Sequence, residues 1–139
     1  MARRKQVFEA PGEDEDMPLP IEESPWHFGR CTYIPSEHWE VIIEFAKDKM
    51  PSFGELLEEA SYLDGDFSNW TDEKTHKLHE GLKQLCQLII ESEPLTPEIT
   101  NEILEDHPPE DHVDMIKAVI AVISESQRMN QMFDAYVDS

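Results

Sequence analysis

Basic residues are scarce in this chain. Its 139 residues hold 11 Lys and Arg against 31 Asp and Glu, a formal net charge of −20 at pH 7. A polyanion of this kind is repelled by DNA and RNA phosphates and by anionic lipid, so no direct nucleic-acid contact and no membrane contact is expected. Cysteine is nearly absent. Cys31 and Cys86 lie far apart, form no disulfide framework and read as reduced thiols. With five glycines in all, there is no glycine-rich phosphate loop and no nucleophile elbow. No apolar run nears the ~18 residues of a membrane span. The longest, Met115 to Ile123, is interrupted by Lys117. The opening Met-Ala-Arg-Arg-Lys leads into no apolar stretch of a secretory signal, and a cytoplasmic setting is expected.

What is present is enough for a core. Hydrophobic residues make up 39% of the chain and include three Trp. A domain of this length buries roughly two thirds of its unfolded surface. Residues 1–25 are the exception. Arg3, Arg4 and Lys5 precede Glu9, Glu13, Asp14, Glu15, Asp16, Glu22 and Glu23, with Pro11, Pro18, Pro20 and Pro25 among them. Without periodic apolar residues, such a segment does not repay its ordering entropy, and a disordered acidic tail is expected. Residues 26–139 are then the folded domain.

Within that domain, Arg30 to Ile34 suggests one short extended segment, with no evident strand to pair with. Helical spacing follows. Pro35-Ser36-Glu37 opens a first helix carrying Trp39, Ile42, Ile43, Ala46 and Met50, which Pro51 stops. Ser52-Phe53-Gly54-Glu55 has the form of a capping box before Leu56, Leu57, Ala60 and Leu63, and Asp64-Gly65 closes that helix. Phe67 and Trp70 are expected to pack inward from the next loop. Thr71 caps a third helix to about Ser92, with Leu78, Leu82, Leu85, Cys86 and Ile89 on one face. Thr96-Pro97 starts a short fourth helix that ends at His107-Pro108-Pro109. A fifth helix opens at Pro109 and extends to about residue 135. The expected fold is an all-α bundle of about five helices after a disordered acidic tail.

Catalytic and metal signals are weak. His76 and His79 are three apart beside Glu80, which does not match the zinc-protease spacing, and both read as solvent-facing. His107-Pro-Pro-Glu-Asp-His112 reads as a turn with capping acids. Cys86 falls on an apolar face, where burial keeps a thiol inert, and Cys31 has only His27 nearby. No enzyme activity, no cofactor and no metal are expected.

The carboxylates are the informative feature. No Lys or Arg occurs between Lys83 and Lys117, an interval with nine acids, nor between Met50 and Glu73, which hold seven. Glu98, Glu102 and Asp106 stack at successive turns of the fourth helix, with Glu105, Glu110 and Asp111 close by in sequence. These six, with Tyr62 or Trp70 as aromatic anchor, are the candidate contact residues for a basic protein partner. The concrete expectation is an immunity protein or antitoxin that blocks a cationic toxin such as a nuclease, with electrostatic steering speeding association. A DNA mimic acting on a DNA-binding protein would use the same carboxylates. A secretion or assembly chaperone would instead use an apolar groove lined by Met129, Met132 and Phe133. The oligomeric state is left open.

Overall fold

A strand forms where composition predicts a tail. The computed structural model describes residues 4–11, 26–28, 30–91 and 110–138. In it Lys5–Glu9 is strand β1. Strands β2 (His27–Phe28), β3 (Cys31–Pro35) and β4 (Asp134–Asp138) complete an antiparallel sheet in the order β2-β3-β1-β4. Four helices accompany it among the described residues: α1 (Ser36–Lys49), α2 (Pro51–Ser61), α3 (Asp72–Glu91) and α4 (Glu110–Met129).

This overturns the expected all-α bundle of about five helices, and within the expected tail residues 5–9 form a strand, while residues 12–25 lie outside the described residues. The extended segment at residues 30–34 does have partners, but they come from the two ends of the chain. Val7 lies opposite Tyr33 on one side and Tyr136 on the other. Five-residue strands that pair only with distant segments leave little alternation to read. The proposed helix from Thr96 to His107 lies outside the described residues.

The last helix is shorter than its apolar spacing suggests. Asn130 takes φ 52°, a left-handed conformation that Asn tolerates better than most residues. Its N–H donates to the Gln127 carbonyl, and the Gln131 N–H donates to the Ser126 carbonyl. Those two bonds are the paired contacts of a Schellman cap. They end α4 at Met129, so Phe133 and Tyr136 belong to a loop and a strand instead.

The α1–α2 corner also departs from expectation. The Ser52–Glu55 capping box does not form. Met50 occupies the N-cap position of α2, and Pro51 takes its first turn, where a missing N–H costs nothing. The two helices meet closely at Gly54, where an added Cβ would lie 2.6 Å from the Lys47 backbone. Thr71 does cap α3, its Oγ1 accepting the Lys74 N–H at 3.2 Å.

The helices cover the sheet face that carries Gln6 and Phe8. An aromatic chain crosses this core: Trp39 meets Phe8 edge-on at 5.3 Å, Phe8 stacks with Phe133 at 6.4 Å, and Trp70 meets Phe133 edge-on at 5.8 Å. Such pairs contribute about 0.5–1.5 kcal/mol each beyond the area they bury. Polar bonds fix the layers. The Gln6 side-chain amide donates to the Ser61 carbonyl at 2.7 Å, and Thr32 Oγ1 donates to the Ala118 carbonyl at 3.1 Å. Phe67, expected to pack inward, is 38% exposed.

Candidate functional site

Burying one face of α1 decides what its other face presents. Trp39, Ile42, Ile43 and Ala46 point into the core. Glu37, Glu40, Glu44 and Asp48, spaced i, i+3, i+7 and i+11, all remain exposed along the opposite side. Like charges at these spacings weaken a helix by tenths of a kcal/mol each, which the buried face readily offsets. Tyr62 follows the C-terminus of α2 and is 47% exposed. Partial burial, then the Glu40 and Glu58 carboxylates, push its hydroxyl above the usual tyrosine range. Tyr62 is therefore within electrostatic reach of Glu40 on the acidic stripe.

The positive charges do little to offset that stripe. Among the described residues, twenty acids stand against ten bases. Lys47 bonds Glu58 at 2.7 Å, and that bond holds its pKa above the usual lysine range. Lys74 pairs with Glu59, Lys77 with Glu73, Lys83 with Glu80 and Lys49 with Asp48. Arg30 and Arg128 both approach Glu125, whose side chain is nearly buried. The lysine pairs are largely exposed and contribute little stability. Their consequence is local neutralisation, which leaves Glu37, Glu40 and Glu44 to set the field over α1.

The sheet face away from Phe8 carries Glu9, Asp134 and Asp138 together with Lys5. Tyr33, Val7 and Tyr136 form one row across three strands, and Cys31, Glu9 and Asp134 form the next. Burial first, and then the Glu9 carboxylate, push the Tyr136 hydroxyl up to about 12. The free edge of β4 is partly covered. The Asp64 N–H donates to the Ala135 carbonyl at 2.8 Å, and the Asp134 carboxylate accepts the Ala135 N–H. That arrangement blunts strand addition at the start of the edge.

The expected contact residues fare differently. Glu98, Glu102, Glu105 and Asp106 lie outside the described residues. Glu110 and Asp111 form the first turn of α4. Trp70 is half-buried against Phe133, and its Nε1–H donates to Thr75 Oγ1 at 2.7 Å, so it holds structure together rather than presenting a free ring. Tyr62 is the exposed aromatic of the two. The α1 stripe was missed, although the same helical spacing that identifies the apolar face places Glu37, Glu40 and Glu44 on the other one.

Histidines and cysteines take mostly internal roles. His79 is not solvent-facing: its Nε2 lies 2.8 Å from Ser124 Oγ, joining α3 to α4. His112 is buried against His38 rather than exposed in a turn. Burial pushes the Cys86 thiol up to about 11, which keeps it protonated and unreactive. Cys31 is half-buried, and burial first, then the Cys31 thiol, push the neighbouring Tyr33 hydroxyl above the usual tyrosine range. Among the described residues, no three His, Cys, Asp or Glu side chains converge to hold a metal ion. Nor is any described helix long and apolar enough to cross a membrane. Comparison with known proteins finds no matching family model, no matching curated protein and no matching solved structure.

Proposed function

We propose that this chain is an acidic protein-binding module whose partner is a basic protein. In its most concrete form it is an immunity protein or antitoxin that acts in the cytoplasm and covers the cationic active site of a toxin such as a nuclease. The observation that carries this reading is the α1 stripe of Glu37, Glu40 and Glu44 beside the exposed Tyr62. Nuclease sites are basic because they bind phosphate, so a row of carboxylates is complementary to them. An aromatic ring inside an acidic rim is a common anchor for such a contact. Of the three residues named for a chaperone groove, Phe133 is fully buried, which weighs in favour of the acidic-surface reading.

The test is capture of a basic protein from the native host by the full chain at low salt. The complex should dissociate as salt rises and should be lost when Glu37, Glu40 and Glu44 are changed to Lys. Competition by duplex DNA for the same partner would favour a DNA mimic. Recovery of no basic protein at low salt would count against the reading.

A further inference from the structure

A polar cleft opens where α3 begins and α4 ends. Asp72 and Thr75 form one wall, and Ser126, Gln127, Asn130 and Gln131 form the other, with Met132 alongside. Its volume is about 240 Å³. Pockets for whole small molecules run from ~300 Å³ upward, so this one suits a single side-chain head.

Its chemistry is one-sided. The lining has one carboxylate, two hydroxyls, three amides and a thioether, and no Lys, Arg or His. Arg128 is turned onto Glu125, and Lys74 bonds Glu59 and the Asn69 carbonyl. The C-terminal end of α4 adds partial negative charge, while Asp72 and Glu73 answer the partial positive end of α3. The walls are set in advance. Trp70 holds Thr75, the Ser126 hydroxyl donates to the Gln131 carbonyl, and the Schellman bonds fix Asn130 and Gln131. These bonds hold the backbone of both walls, so the cleft exists before a ligand arrives, while the Asp72, Gln127, Asn130 and Gln131 side chains stay exposed to meet it.

We infer that this cleft receives a guanidinium group: an arginine side chain of the basic partner. The inference rests on the reading of the chain as a module for a basic protein. A guanidinium offers five N–H donors in a fixed planar fork, which matches the Asp72 carboxylate with the amide oxygens of Gln127, Asn130 and Gln131 around it. An ammonium has three donors on one point and leaves more of these acceptors unused. Met132 supplies a polarisable surface for the flat face.

The test uses the full chain and a small probe, Nα-acetyl-arginine methylamide, followed by NMR amide shifts. Shifts confined to residues 72–75 and 126–132 are expected. Asp72→Asn should weaken binding by about tenfold, because it removes the charge-assisted bonds. The neutral citrulline analogue should not bind. Glu91→Gln, at the far end of α3 from Asp72, should leave probe binding unchanged. Equal binding of the citrulline analogue, equal binding to Asp72→Asn, or no localised shifts would overturn the inference. Capture of a basic partner with no probe response would overturn this inference alone. A specific probe response with no basic partner recovered would support the cleft while removing the wider reading.

Discussion

The Nδ1 atom of His38 lies 3.0 Å from the Nε2 atom of His112, and the two rings are buried at 1% and 2% exposure. One nitrogen must donate and the other accept, so the pair tolerates at most one positive charge. A second proton would set two cations face to face between α1 and α4, where water screens them poorly. His79 acts in the same direction: burial, then Lys83, lowers its pKa. Its contribution to stability is full above the unfolded value of ~6.5 and is lost as pH falls through the lower folded value. The melting temperature should therefore drop between about pH 7.5 and 5.5, a window above most carboxylate titration. His112→Gln should flatten that dependence. A wild-type curve that is level across the window would contradict this account.

Gly54 allows α1 and α2 to meet without a loop. Gly54→Ala puts a Cβ 2.6 Å from the Cα and N atoms of Lys47, and backbone does not yield cheaply. A loss of about 1–3 kcal/mol is expected despite the better helix propensity of Ala. The urea midpoint reads this directly, and an unchanged midpoint would argue against the close approach.

Removing residues 1–9 separates a tail from a strand. β1 lies between β3 and β4, and Phe8 sits at the centre of the aromatic chain. Its deletion should abolish cooperative unfolding, whereas loss of a disordered tail would leave the transition in place. A milder variant, Gln6→Ala, removes the donor to the Ser61 and Tyr136 carbonyls. It should cost about 1–3 kcal/mol for the buried acceptors left with fewer bonds.

The helices were legible because each carries its own period. Trp39, Ile42, Ile43 and Ala46 mark α1, and Leu78, Leu82, Leu85 and Ile89 mark α3, without reference to anything distant. The sheet was not. Lys5–Glu9 gains its meaning from Cys31–Pro35 and Asp134–Asp138, and no local spacing links these segments. Asn130 ends α4, but the apolar residues beyond it, Met132, Phe133 and Tyr136, continue a helix-like pattern in the sequence. On the surface, the longest lysine-free intervals lie outside α1, where Lys47 and Lys49 share the helix with Glu37, Glu40 and Glu44. One of those lysines is bound to Glu58, a fact that only the fold reveals.

The central claim is that the acidic face of α1 steers a basic protein onto this chain. The most direct measurement is the association rate constant with the captured partner across a range of ionic strength. Wild-type protein should associate fastest at low salt, with a steep decline as salt screens the field. The Glu37→Lys, Glu40→Lys, Glu44→Lys triple variant should associate at least about tenfold more slowly at low salt, with a shallower salt dependence. Equal rates and equal salt dependence for the two proteins would contradict the claim.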